Sequence, residues 1–179
     1  MGDETNLDDV ALFSASHPSV VPGQATQSNL GTAAVFNHDN LEVGTQNLEE
    51  QVTDDGNPLS LLGKPVLVIP PALRKEGFEI TESELDPSTA NSAINFYKNG
   101  IGLDMVVSTY LSSNNSIGGS NTAFFLTVPQ RAGLTHVVRK EPTMAQDVDI
   151  KSGIATFTVS ARWADCVKDF RRTWGNQGA

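Results

Sequence analysis

A run of four apolar residues that ends directly in two prolines is the feature that most constrains the fold of this chain. Val66–Ile69 contains three β-branched residues and no polar alternation, which predicts a strand buried on both faces. Pro70 disfavours helical backbone at Ile69 and has no N–H for a sheet ladder, so the strand is expected to end there. Pro71 suits the first turn of a helix, where its missing N–H costs nothing. The pair therefore predicts a rigid junction between a buried strand and a helix, with no catalytic role.

The segment after the junction has a helical pattern. A helix is predicted from Ala72 to about Ile80. Leu73, Phe78 and Ile80 are the residues that we expect to point inward.

A second helix is predicted upstream of the junction, from Asp39 to about Val52. Asp39 fits an N-cap, and Glu42 supplies a carboxylate three residues later, as in a capping box. Leu41, Leu48 and Val52 share one helical face. The run TDDGNP is expected to end this helix.

The chain from Thr135 to Val167 is predicted to be one long β-hairpin. Two strand-like runs, THVVRKE and ATFTVSARWADCV, are joined by PTMAQDVDIKSG. In the second run apolar and polar residues alternate, so one face of the hairpin is expected to meet solvent or a partner molecule. The apolar set is Phe157, Val159, Ala161 and Trp163, and the polar set is Thr158, Ser160 and Arg162.

Length and charge narrow the class of protein. With 179 residues and a net charge of −9, the chain suits one domain or two small joined ones, and its acidic surface disfavours binding to nucleic acid. All twelve Lys and Arg residues lie in residues 64–179, whereas residues 1–63 hold ten acidic residues and no basic ones. This asymmetry fits head-to-tail contact between copies or a solvated acidic face, and charge alone favours the second. No apolar run is long enough to cross a membrane and no secretion leader is recognised, so we expect a soluble protein made inside the cell.

Candidate catalytic chemistry is sparse. Cys166, the single cysteine, could act as a nucleophile with His17, His38 or His136 as its base. The neighbouring Asp165 would disfavour the thiolate, and a buried structural cysteine is the stronger expectation. The three histidines lack metal-ligand spacing, and IGGSN lacks the pattern of a phosphate-binding loop. We therefore predict no catalytic, cofactor or metal site and no small-molecule substrate.

The last basic segment offers candidate contacts between copies. In KDFRRTWGNQGA aromatic and basic residues interleave, and Arg and Trp are common interface anchors. Arg171, Arg172 and Trp174, with Arg162 on the hairpin, are the predicted subunit-interface residues. A solvated basic tail explains the same pattern equally well.

Three segments occur in a characteristic order: VALFSASHPS, then TQSNLGTAA, then DDGNPLSLLGKPVLVIPPAL. The series resembles the major capsid proteins of tailed bacteriophages, in particular the Mu-type major head subunits. The matching motifs are the LF…HP segment at residues 12–18, the helix stop at 54–59 and the strand-to-helix junction at 67–73. Near the end, the family's D-W-R-G becomes Asp169-Phe170-Arg171-Arg172, with Phe for Trp and Arg for Gly. The match runs from about residue 8 to residue 176, without the family's N-terminal arm, extended loop and spine helix.

The resemblance implies an α+β fold of the tailed-phage major capsid type: an axial-domain sheet with flanking helices, plus the long β-hairpin of a peripheral domain. The expected division is a weakly structured segment at 1–17, an axial-like domain at 18–130 and a peripheral part at 131–179. It also implies a structural subunit and not an enzyme, one that assembles with copies of itself into the pentamers and hexamers of an icosahedral shell. Such a subunit would be made in the host cytoplasm, reside in the virion and meet packaged DNA only non-specifically. The alternatives are a decoration or adaptor protein of the virion, or a cysteine hydrolase that uses Cys166.

Overall fold

The computed structural model describes residues 10–19, 21–59, 63–85, 93–129 and 133–179. Within these ranges the chain has a mixed α+β fold with two sheets and few helices. The helices are α1 (His38–Glu49) and α2 (Arg74–Glu82), with short 3-10 turns at Pro71–Leu73 and Thr109–Leu111 and a π-helical turn at Tyr97–Ile101. The strands are β1 (Val66–Ile69), β2 (Asp104–Val107), β3 (Phe124–Thr127), β4 (Leu134–Val148), β5 (Ala155–Val167) and β6 (Thr173–Asn176).

The proline junction turns the chain from strand to helix as predicted. β1 ends at Ile69, Pro70 keeps an extended backbone with φ −71° and ψ 161°, and Pro71 opens the 3-10 turn that leads into α2. The prediction that β1 is buried on both faces is wrong, because Leu67 and Ile69 are fully buried while the two valines are half-buried. Both helices pack on the face that holds Leu67 and Ile69, since these belong to one core cluster with the buried residues of α1 and α2.

Helix α2 approaches the sheet through a face without large side chains at its centre. Gly77, Ile80 and Thr81 are its buried residues, and a Cβ on Gly77 would lie 2.5 Å from the Ile69 side chain. Phe78 was predicted to point inward, but its side chain is 59% exposed. Consecutive helical residues are rotated by about 100°, so the position after Gly77 points away from the sheet.

The N-cap of helix α1 lies two residues earlier than predicted. Asn37 is the N-cap, and its side-chain oxygen accepts a hydrogen bond from the backbone N–H of Asn40 at 2.7 Å. Leu41 and Leu48 are buried as predicted, whereas Val52 lies beyond the end of the helix.

The larger sheet has the strand order β2-β1-β3-β6. β1 pairs in parallel with β2 and antiparallel with β3, and β3 pairs antiparallel with β6. This register places Leu67, Leu126 and Trp174 side by side across three strands, beneath the two helices. β6 comes from the 131–179 segment and completes a sheet whose other strands lie in 18–130. The domain boundaries at residues 17 and 130 stay predictions.

Candidate functional site

The predicted long hairpin is present and is exposed along nearly its whole length. β4 and β5 pair antiparallel from Leu134 opposite Val167 to Val148 opposite Ala155. Among the described elements, these two strands pack chiefly against each other. At about 3.3 Å per residue, the ladder spans about 40 Å from its base to its turn.

An irregular stretch in β4 lets the side chains keep the same alternation between faces in both halves of the hairpin. The register shifts twice between Val138 and Thr143, so β4 contributes two extra residues there. Pro142, which has no N–H for the ladder, lies in this stretch. Two insertions restore the alternation, so Val138 and Met144 lie on the same face. The sequence pattern RKEPTM hides this periodicity, which is why the contribution of β4 to the apolar face was not predicted.

The two faces of the hairpin differ in chemistry. Cross-strand partners share a face, so Val138 lies beside Trp163 and Met144 beside Val159. Phe157, Val159 and Trp163 are between 57% and 67% exposed, and no described part of the chain covers them. We call the large apolar side chains on this side the apolar face, and His136, Gln146 and Asp165 lie on the same side of the ladder. The apolar face consists of Leu134, Val138, Met144, Val148, Phe157, Val159 and Trp163. The opposite side, the polar face, includes Lys140, Thr143, Thr156, Thr158, Ser160 and Arg162.

A groove of about 1070 Å³ lies at the base of the hairpin. Its walls come from the N-terminal segment, β3 and the first pairs of the hairpin, and we call it the basal groove. Phe13 and Phe125 form one side, with ring centroids 4.9 Å apart. His136 and Asp165 lie at its edge, where the His136 Nδ1 is 2.5 Å from the Asp165 carboxylate. The main apolar lining is Leu12, Phe13, Leu30, Phe125, Leu134 and Val167.

Cys166 is exposed, so the prediction of a buried structural cysteine is wrong. It pairs with Thr135 one position from the His136–Asp165 pair, and neighbouring strand residues point to opposite faces. The ring of His17 stacks on that of Phe170, with the ring centroids 3.7 Å apart. The ring of His38 lies 4.8 Å from that of Tyr97. Within the described residues, no imidazole is hydrogen-bonded to the Cys166 thiol.

The described residues contain neither a cluster of metal-ligating side chains nor a membrane-spanning helix. No three His, Cys, Asp or Glu side chains in this part of the chain converge in a way that could hold a metal ion. None of its helices is both long and apolar enough to cross a membrane.

The predicted interface residues fall in different environments. Trp174 is only 2% exposed, and its ring lies 5.8 Å from that of Phe124 in the core. This placement gives the indole a packing role inside the chain, and its predicted contact between copies stays a prediction. Arg162 is exposed on the polar face, and Arg172 is half-buried with a left-handed backbone at φ 68°. Their part in an interface stays a prediction.

Arg171 ties the last strand to the loop after α1. Its guanidinium is 2.7 Å from the Asp54 carboxylate and 3.1 Å from that of Asp169, and its Nε donates to the Val52 carbonyl at 2.9 Å. Only 12% of the side chain is exposed. These contacts all lie within the chain, so Arg171 links two segments of the same molecule and is not part of a free surface.

The site and fold together define a mixed α+β protein that presents a long, two-faced hairpin and an apolar groove at its base. No family model matches the chain, and no curated protein matches it. Among solved structures, the chain is similar to one described as "Crystal structure of virus-like particle from Pyrococcus furiosus", with a TM-score of 0.42 and 16% identity. The similarity covers 83% of this chain and 56% of that chain, so the protein spans little more than half of that structure's length. Values this low assign no fold family.

Proposed function

We propose that this chain is a structural subunit that assembles with copies of itself into a shell. The observation that carries the proposal is the apolar face, which no described residue covers. A two-stranded ribbon is marginally stable alone, and contiguous exposed apolar surface of this kind is typical of protein interfaces. Covering a half-exposed Val, Phe or Trp stabilises an assembly by roughly 1 kcal/mol each. Seven such side chains on one side of one hairpin therefore favour association.

The finer identity that we propose is a major capsid subunit of the tailed-phage, Mu-type class. Its support is the ordered series of sequence motifs that ends in the proline junction, together with the α+β topology. In this role the protein would reside in the virion after synthesis in the host cytoplasm. Its partners would be further copies of itself, and the net charge of −9 disfavours strong binding to the packaged DNA. We propose no catalytic function and no cofactor.

Two lysine substitutions at neighbouring positions of β5 test the self-assembly. Val159→Lys places a charge on the apolar face, whereas Thr158→Lys places the same charge on the polar face, one residue away. We expect the average mass of the wild type to rise with concentration in size-exclusion chromatography with light scattering. Val159→Lys should suppress this rise, because a buried unpaired charge is costly. Thr158→Lys should leave it intact.

The same measurement has an outcome that removes the proposal. A wild-type chain that stays monomeric at every soluble concentration contradicts it, as do equal effects of the two lysines. Circular dichroism of both variants checks that the fold is kept. Negative-stain electron microscopy of the associated fractions then shows whether rings, sheets or closed shells form.

A further inference from the structure

We propose that the turn of one copy's hairpin inserts into the basal groove of a second copy, so that copies associate head to tail. The inference rests on the proposed self-assembly and names the partner of the groove. It joins two different surfaces, so it is a heterologous contact, which closes into a ring or continues as an open array.

The turn carries an unusual apolar apex. Tight turns favour Gly, Pro, Asn, Asp and Ser, yet Ile150 occupies the turn and is 97% exposed. Ile154, across the turn, is exposed as well. Two isoleucines held at the end of a projecting ladder have the form of an interface anchor.

The turn is held in a fixed shape before any partner binds. The backbone N–H of Asp149 donates to the Ile154 carbonyl at 3.0 Å, and the N–H of Gly153 donates to the Asp149 carbonyl at 2.7 Å. The Asp149 carboxylate accepts from Ser152 Oγ at 2.6 Å and from the Lys151 N–H at 3.0 Å. An anchor that is already ordered loses less conformational entropy on binding.

The basal groove cannot be filled by the turn of its own chain. Leu134 and Val167, the first pair of the ladder, line the groove, and the turn lies beyond the last pair. The two ends of the ladder are about 40 Å apart. The groove is apolar and, at about 1070 Å³, large enough for the side chains of Ile150 and Ile154. A turn that enters it therefore belongs to a second copy.

The turn and the hairpin strands next to the groove carry opposite net charges, while Asp165 is the charged residue in the described lining of the groove itself. The turn region, residues 147–151, holds two Asp residues and one Lys, a net charge of −1. The lower half of the hairpin, residues 134–141 and 161–168, holds four basic and two acidic residues, a net charge of +2 with His neutral. A turn is a small contact, so each insertion is weak, and repetition around a ring or shell supplies the avidity.

The native Cys166 offers a direct test, because it lines the groove and is the single cysteine. Ile150→Cys places a second thiol on the turn of the full chain. We expect oxidation with copper–phenanthroline to give a ladder of covalent oligomers on a non-reducing gel. Peptide mapping should show residue 150 linked to residue 166 of another copy, which requires their Cα atoms to come within about 7 Å.

A matched control places the added thiol on the polar face by Thr158→Cys. Linkage from residue 150 to residue 166 should be at least about tenfold faster than linkage from residue 158, because the inserted turn raises the effective concentration of the thiols. Links that are mainly 150 to 150 or 166 to 166, or equal rates for the two variants, overturn the inference. If Val159→Lys abolishes association while no 150–166 link forms, self-assembly stands and the turn-in-groove contact is wrong.

Discussion

The two tryptophans of this chain allow the division between core and interface to be measured. Trp174 is 2% exposed beneath the helices, whereas Trp163 is 62% exposed on the apolar face. A buried Trp removes about 150–250 Å² from water, which at about 25 cal/mol per Å² corresponds to about 4–6 kcal/mol. In Trp174→Ala the alanine side chain stays buried, but the volume of the indole becomes a cavity. We therefore expect the free energy of unfolding to fall by about 4 kcal/mol.

The assay is urea unfolding followed by far-ultraviolet circular dichroism, at a concentration where the chain is monomeric. With an m-value of about 2 kcal/mol per molar urea, the midpoint of Trp174→Ala should fall by about 2 M. Trp163→Ala should change the free energy of unfolding by no more than about 0.5 kcal/mol. The same Trp163→Ala chain should associate less than the wild type, since it loses part of the apolar face.

Equal unfolding free energies for the two alanine variants would refute this assignment of the two indoles. So would a Trp174→Ala chain that is within about 1 kcal/mol of the wild type, because a fully buried Trp costs more than that to remove. If Trp174→Ala does not fold, Trp174→Phe gives a smaller cavity with the same expected ranking.

Two further outcomes follow from the described contacts. Arg171→Leu should lower the free energy of unfolding by about 2 kcal/mol in urea titrations, because the substitution leaves the Asp54 carboxylate without its partner. Arg162→Leu, on the exposed polar face, should leave the free energy of unfolding nearly unchanged. The hydrogen bond from Ser152 holds the pKa of Asp149 below its ordinary value, so Ser152→Ala should raise that pKa in a carboxyl NMR titration. Because the folded pKa is lowered, the contribution of Asp149 to stability is fully present above its unfolded pKa and is lost as the pH falls through the folded pKa; an Asp149 pKa that is the same in both chains would contradict this account.

Local rules were enough to predict the junction and the hairpin. Two consecutive prolines restrict the backbone in any context, and the strict alternation in β5 leaves few alternatives to a strand. The N-cap was misplaced because Asn37 and Asp39 are both good caps, and sequence alone does not say which one has the extended backbone.

The features that local rules do not predict depend on contacts between residues that are distant in sequence. Trp174 looked like an interface anchor because an aromatic among basic residues has the same composition in a core as on a surface. Its burial is decided by the pairing of β6 with β3, 46 residues earlier in the chain. Hydrophobicity alone predicts an inward Phe78, whereas the close approach of Gly77 to β1 sets the rotation of α2. The basal groove combines several segments that are distant in sequence, and no local pattern encodes their proximity.

The late position of β6 has a consequence for the order in which the protein forms on the ribosome. The hairpin is translated before residues 173–176, so its ladder of neighbouring pairs closes while the larger sheet still lacks its fourth strand. At about 5–20 residues per second, the nine residues from the end of β5 to the end of β6 take about 0.5–2 s. During that time the apolar face is already displayed, whereas Trp174 has not yet entered the core. Nascent chains on one polysome are therefore exposed to premature contact with each other, and a chaperone that binds apolar β-ribbons would act in this interval.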